Sequence, residues 1–274
     1  MNKKSKKFLY HYTKFPAMQN IIENRELWLC NTQFMNDKSE MSHYIKCVEE
    51  AVLATDNIEK EDQERIEKVF KDQLNKIDTH LTYCLSMSKR KDDAAQWERY
   101  ADNGQGVCII FDSDKLKQVS SDVASLQEVY YTEDAHKSKH TELFKKYLIE
   151  KANETPELGS MESAFWNAWV AASAYKHISF KSEKEVRLIV RENLCWKKPL
   201  ELKYKMENWG VREYYPLKIA DDNCELKRII KGIIIGPKAN ATENIVKRYL
   251  KSLDPIYEKI EVIKSQCPLR GTVK

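Results

Sequence analysis

Short apolar stretches with strand alternation stand at both ends of this chain, while helix-periodic stretches fill its middle. A doubly wound parallel sheet must alternate strand and helix throughout, so this order points instead to an α+β fold: a mixed, mostly antiparallel sheet with helices packed to one side. Turn formers are scarce, with seven glycines and seven prolines in 274 residues. Many-stranded sandwiches and repeat arrays need frequent sharp turns, and no internal period is visible, so residues 1–274 read as one domain. Neither GxGxxG nor a phosphate-loop motif occurs, which removes two common nucleotide-binding solutions.

Along the chain, FLYHYT alternates as an aromatic strand, FPAMQNIIENRE carries helical spacing, and LWLCN returns to an extended pattern. From Lys60 to Asp78 the residues Ile66, Val69, Phe70, Leu74 and Ile77 form one apolar stripe, which predicts a surface helix. LTYCLSMS and GVCIIF read as buried strands around a polar segment whose centre is helical for a turn or two, and QEVYY as a further short strand. Two helical patterns run from Lys137 to about Lys176, the second being MESAFWNAWVAASAYK. The strands VRLIVR, YYPLKI, IIKGIIIG and KIEVIKS follow, with a helix between Asn240 and Ser252 that Thr242 is placed to cap.

Composition excludes several classes. Hydrophobic residues at 42% and charged residues at 32% describe an ordinary globule. The net charge of +4, from 46 basic and 42 acidic residues, is too small an excess for a committed nucleic-acid binder. Seven scattered cysteines without a CxxC pair indicate reduced thiols and a cytoplasmic protein, with packing as their default role. No apolar run approaches the roughly 20 residues a bilayer requires. The six histidines form neither HxH nor HExxH, and His136 with His140 lacks a third ligand, so no metal is expected. No GxSxG supports a serine hydrolase.

Four polar constellations lie at strand ends or inside apolar strands. The first is Tyr10-His11-Tyr12-Thr13, whose histidine reads by default as a satisfied core residue. The second is Asn31 with Asn36 and Asp37, residue types that also make turns and helix caps. The third links Ser86 to Trp97 and Tyr100, whose spacing of three puts both rings on one helical face, to stack on a planar ligand or to fill the core. The fourth contains Glu183, Glu185 and Arg187. Alternation sends these three to one face, where they would polarise a sugar or form a surface ion-pair row.

In order, these segments resemble the bacterial family of unknown function DUF2971 over nearly the whole length. LYHYTKFPAMQNIIENRELWLCNTQFMNDKSE resembles the family's opening, CLSMSKRKDDAAQWERYADNGQGVCIIFD its central block, and KSEKEVRLIV, IIIGP and SQCPLR its later landmarks. A second resemblance is to ADP-ribosyltransferase-like folds, through YHYT followed by a helix and a strand.

This second resemblance implies a site for NAD, used as substrate. His11 would hold a ribose hydroxyl, Glu185 would be the catalytic glutamate, and Glu183 would stand where arginine-modifying members keep a second glutamate. Ser86, Tyr12 and Trp97 compete for the middle position, and Arg187 or Arg99 would meet the diphosphate. Breaking the nicotinamide–ribose bond builds oxocarbenium character, which a fixed carboxylate stabilises. The resemblance thus implies an ADP-ribosyltransferase or NAD glycohydrolase acting on a nucleic-acid or protein acceptor, as a toxin or phage-defence effector. Two other readings stand beside it. One is a binding module for a nucleotide or nucleic-acid end, lined by Trp97, Tyr100 and Arg187. The other is a partner-binding protein of a defence operon that offers the Lys60–Asp78 helix.

Overall fold

A computed structural model describes residues 7–32, 40–54, 60–75, 82–131, 172–191, 200–207 and 210–269. Among them the strands are β1 (Phe8–Thr13), β2 (Glu26–Asn31), β3 (Thr82–Ser88), β4 (Val107–Asp112), β5 (Ser125–Glu128), β6 (Tyr130–Tyr131), β7 (Tyr175–Lys176), β8 (Glu185–Arg191), β9 (Lys203–Glu207), β10 (Gly210–Lys218), β11 (Ile230–Ile235) and β12 (Glu261–Lys264). The helices are α1 (Phe15–Asn24), α2 (Glu40–Leu53), α3 (Lys60–Asn75), α4 (Ala94–Tyr100), α5 (Ser113–Ser120), α6 (Asn223–Ile229) and α7 (Glu243–Leu253). The fold is α+β with a mixed, mostly antiparallel sheet. Tyr175–Lys176 is a strand rather than the end of a helix, paired in parallel with Tyr130–Tyr131. Most of the Lys137–Lys176 stretch lies outside the described residues.

Side-chain caps fix several helix starts, each satisfying an otherwise orphaned backbone N–H. Asp93 accepts from the Gln96 N–H at 3.2 Å, Asp112 from Lys115 at 3.2 Å, and Asp222 from Glu225 at 2.8 Å. Thr242 caps α7 as its position in the sequence predicts, accepting from Ile245 at 3.3 Å. Helix α1 has Pro16 in its first turn, where the missing N–H costs nothing, and ends on Arg25 in the left-handed region.

The ten-stranded sheet runs β12-β11-β4-β1-β3-β2-β10-β9, with β8 and β5 joined through β3. Strand β8 pairs with all of β3, from Thr82↔Arg191 to Ser88↔Glu185, and so occupies one whole edge. Two strands share the other edge: β2 at Tyr83 and Cys84, and β1 at Ser88. Between those contacts β1 and β2 diverge, and the sheet forks. One branch continues through β4, β11 and β12 and the other through β10 and β9.

Strand alternation gives the sheet two apolar faces. Leu9, Leu27, Leu29, Met87, Ile109, Phe111, Leu188 and Ile233 face the larger core, which Met18 and Ile22 of α1, Leu116 of α5, Leu226 of α6 and Leu250 of α7 complete. Tyr12, Cys108, Ile110 and Ile234 face the other way, where Trp97 of α4 and the following Ala101 cover them. The helices therefore do not all pack to one side as expected from the sequence. A short helix rich in large side chains is enough to cap the second face. Where β1 meets β4 the backbones approach too closely for any side chain: a Cβ on Gly106 would lie 2.2 Å from the Thr13 carbonyl oxygen.

Candidate functional site

Where β1 and β2 part, a hollow of about 290 Å³ opens on the edge of β3. That volume is at the lower end of the roughly 300–1,000 Å³ usual for small-molecule pockets. Its wall includes Tyr10, His11, Trp28, Ser86, Tyr100 and Phe180, with Lys176, Glu183, Glu185 and Arg212 as charged members. A second hollow of about 210 Å³ adjoins it through His11, Trp28, Cys30, Leu85 and Arg212, and extends toward α1 and Lys205.

His11 occupies the fork itself. Beside it β3 has lost its strand partner on that edge, and the ring Nδ1 lies 3.0 Å from the orphaned Ser86 carbonyl oxygen. A carbonyl only accepts, so Nδ1 carries the hydrogen and Nε2 is left as the acceptor nitrogen. Burial pushes the imidazole pKa down, against the smaller upward pull of that bond, and the ring is neutral near neutral pH. The Ser86 hydroxyl is buried in the hollow's wall without a partner in hydrogen-bond geometry, and it acts on Glu185 as a nearby dipole.

The two glutamates reach the same wall by different routes. Glu183 ends a 3-10 turn (Ile178–Glu183), Lys184 takes the left-handed conformation at φ 45°, and Glu185 begins β8. This reversal lets Glu183 turn inward while Glu185 points inward from the strand. The end of β3 holds the turn in place: Ser88 Oγ donates to the Glu183 carbonyl at 2.6 Å and the Lys89 N–H to the Lys184 carbonyl at 3.0 Å. The backbone N–H of Glu185 donates to Tyr131 Oη at 2.7 Å.

Lys176 stands between the carboxylates, 2.8 Å from Glu183 Oε2 and 3.1 Å from Glu185 Oε2, with Phe180 below its ammonium at 4.7 Å. Arg187 donates to both oxygens of Glu185 at 2.8 and 3.2 Å and to the Ser173 carbonyl at 2.9 Å. Tyr100 Oη and Arg99 donate to Glu183 Oε1 at 2.8 and 3.0 Å. Burial alone would raise the Glu185 pKa, but the charge and hydrogen bonds of Arg187, then Lys176 and Ser86, outweigh it and hold it at about 2. The same burial, with the Glu183 anion as its acceptor, raises the Tyr100 phenol.

Of the candidates read from sequence, His11, Tyr12, Ser86, Tyr100, Glu183 and Glu185 line the first hollow, and Thr13 lines the second. The charges at Glu183, Glu185 and Arg187 form a buried cluster, not a surface row. Trp97 lies away from the hollow. It is fully buried, edge-on to Tyr12 at 5.0 Å, with its indole N–H donating to Asp92 at 2.7 Å. Of the helical pair, only Tyr100 reaches the wall. Arg187 is 1% exposed behind Glu185, too deep to meet a diphosphate. The Tyr12 hydroxyl is engaged with the loop before α4, donating to the Arg90 carbonyl and accepting from the Asp93 N–H. Asn31 donates to Glu213 at 3.2 Å and lines neither hollow. Asn36 and Asp37 lie outside the described residues.

Sequence reasoning missed Lys176, Trp28 and Arg212. Nothing local marks Lys176, since its role depends on two glutamates reaching it across a turn. Trp28 and Arg212 carry a weak signal. Trp28 alternates with Leu27 and Leu29 on β2, and cross-strand packing puts it against Tyr214 at 4.4 Å between ring centroids, whereas Arg212 has only the apolar Val211 on one side of it in β10. Among the described residues no group of three or more His, Cys, Asp or Glu is placed to hold a metal ion. Nor is any helix among them long and apolar enough to cross a membrane.

Residues 96–188 match the model of DUF2971, a family described as a protein of unknown function. The match includes Tyr100, Lys176, Glu183, Glu185 and Arg187. His11 and Ser86 precede it, so it is shorter than the resemblance read along the chain. No curated protein and no solved structure matches.

Proposed function

We propose that this chain, whose residues 96–188 match the DUF2971 family model, binds NAD at the sheet fork and cleaves its nicotinamide–ribose bond, either to water or by transfer of ADP-ribose to an acceptor. The observation that carries this reading is the convergence of His11, Ser86, Glu183 and Glu185 on one hollow from segments far apart in sequence. Aromatic walls at Tyr10, Trp28, Tyr100 and Phe180 suit a planar ring, and the Ser86 hydroxyl on the same wall suits a carboxamide or ribose hydroxyl. The first hollow accommodates the nicotinamide riboside end, leaving the diphosphate to extend toward Arg212 and Lys205.

In this reading Glu185 acts as a permanent anion. With a pKa of about 2 it is neither a general acid nor an effective general base near neutrality, but its charge stabilises a developing oxocarbenium ion. Neutral His11 positions a ribose hydroxyl through Nε2, while Lys176 and Arg187 hold the carboxylate still. Such chemistry suits a toxin or phage-defence effector.

One observation favours a second reading, in which the site binds a nucleotide without cleaving it. Every oxygen of Glu183 and Glu185 already accepts from Lys176, Arg187, Arg99 or Tyr100, which spends much of their charge on the protein itself. Calorimetry with NAD on the wild type and Glu185→Gln, alongside a chromatographic assay for nicotinamide, separates the two. Heat from both proteins with nicotinamide only from the wild type is the expected result. Heat without nicotinamide from the wild type selects the binding module, and neither signal from the wild type removes both NAD readings.

A further inference from the structure

Cys30 of β2 and Cys84 of β3 are directly opposed in the antiparallel pairing, the last pair but one before β2 runs out at Asn31↔Tyr83. Opposed residues of an antiparallel pair have Cα atoms about 4.5 or about 5.5 Å apart and project side chains to the same face. Both spacings lie inside the roughly 4.4–6.8 Å range that a disulfide spans without moving the backbone. Both residues are thiols, and both line the first hollow. From these placements we propose that Cys30 and Cys84 form a peroxide-sensitive dithiol, a modification site that closes into a cross-strand disulfide on the hollow's wall.

The two thiols have different parts in the reaction. Cys30 is half-buried and has the Arg212 guanidinium at 4.0 Å from its sulfur, whereas Cys84 is 4% exposed. Burial pushes the Cys30 pKa up and Arg212 pulls against it, so oxidation is slower than at a dedicated peroxide-reducing cysteine but is directed to Cys30 first. The Cys30 thiolate attacks one oxygen of hydrogen peroxide. The O–O bond breaks, Cys30 becomes a sulfenic acid, and the departing hydroxide takes up a proton as water. The Cys84 sulfur then attacks Cys30, the S–O bond breaks, and the expelled hydroxide leaves as a second water with the Cys84 proton. Two thiols and one peroxide thus yield one disulfide and two waters. This chemistry is independent of whether the hollow takes NAD.

The test treats the full chain with hydrogen peroxide and maps its non-reduced tryptic peptides by mass spectrometry. Expected is a linked Cys30–Cys84 peptide lighter by two hydrogens than the sum of its parts, and reversal by a dithiol reductant. In Cys84→Ser the link is absent, and Cys30 accumulates as a sulfenic acid that dimedone traps. Oxidation confined to other cysteines such as the exposed Cys224 overturns the proposal, as does Cys30 joined to a different cysteine, or equal dimedone labelling of Cys30 in the wild type and in Cys84→Ser.

Discussion

Arg187 clasps Glu185 from two residues further along the same face of β8, its Nε–H donating to Oε1 at 2.8 Å and its Nη2–H to Oε2 at 3.2 Å. Both side chains are almost fully buried, so each has lost its hydration and depends on the other. Removing one partner of such a pair strands a charge, at a cost of about 3–5 kcal/mol. Arg187→Met is therefore expected to lower the urea midpoint by that equivalent without changing the slope. Arg187→Lys recovers only part of the loss, since an ammonium cannot reproduce the two-pronged contact. A midpoint for Arg187→Met within error of the wild type contradicts this account.

The same pair sets an acid limit on stability. Glu185 titrates at about 2 in the folded chain against an ordinary 4.5, so the unfolded chain binds the proton more readily. Its contribution is complete above about pH 4.5 and is lost as the pH falls toward 2. A shift of this size corresponds to about 3 kcal/mol. Urea titrations of the wild type through this window are expected to show the decline, and Glu185→Gln to show a shallower one. Parallel pH profiles for the two proteins contradict the assignment.

Local patterns made β1, α1, β2, the β3 and β4 strands and the Thr242 cap legible, because apolar alternation and capping chemistry act within a few residues. Several elements escaped, among them helix α2, which went unread, and strand β7, which reads as the end of a helix. In β9, Tyr204 and Met206 are exposed and alternate with Lys203 and Lys205, so the strand buries no apolar face that a pattern could show. Helices α5 and α6 are too short for a periodic stripe to show. The fork was illegible for a different reason, since it arises from how β1 and β2 divide one edge of β3. Pairing of Glu183 with Glu185 was readable from their spacing, but the intervening left-handed Lys184 was not. Trp97 and Tyr100 show the limit of a shared-face argument. They are one helical turn apart, and Tyr12 draws the first ring into the core while Glu183 draws the second hydroxyl to the hollow.

His11 offers a spectroscopic check on the fork. Its ring donates from Nδ1 to the Ser86 carbonyl, and burial keeps it neutral to a lower pH than the ordinary 6.5. Nitrogen-15 spectra should show the Nδ1–H tautomer and a titration midpoint below that value. Because the folded pKa is depressed, the linked stability is present above 6.5 and lost as the pH falls through the folded value. An Nε2–H tautomer excludes the contact with Ser86, and a midpoint above 6.5 contradicts the ring's burial.

Trp97 links α4 to the chain's later residues through Asp92, which accepts from the indole at 2.7 Å, from Ser265 Oγ at 2.5 Å and from the Gln266 N–H at 2.8 Å. Trp97→Ala is expected to cost about 3–5 kcal/mol, the usual range for emptying a large aromatic site. Trp97→Phe keeps most of the packing on Tyr12 but leaves Asp92 one donor short, at about 1–3 kcal/mol. Hydrogen exchange at Gln266 should quicken in the phenylalanine variant. Unchanged exchange there would mean that Asp92 holds the tail without help from the indole.

Tyr100 and Arg99 both donate to Glu183 Oε1, from adjacent positions at the end of α4. The carboxylate is 4% exposed while Arg99 is 50% exposed, so the phenol supplies the sheltered contact and the guanidinium the screened one. Losing either alone leaves the oxygen with one partner, at a cost of about 1 kcal/mol. Losing both leaves only Lys176 on the opposite oxygen and a desolvated acceptor without a donor. A double-mutant cycle of Tyr100→Phe and Arg99→Met is therefore expected to be non-additive, with the double variant worse than the sum by about 0.5–3 kcal/mol. Strict additivity would mean that the two donors do not share the oxygen, and that Glu183 is held toward the hollow by Lys176 and the Ser88 contact to its backbone.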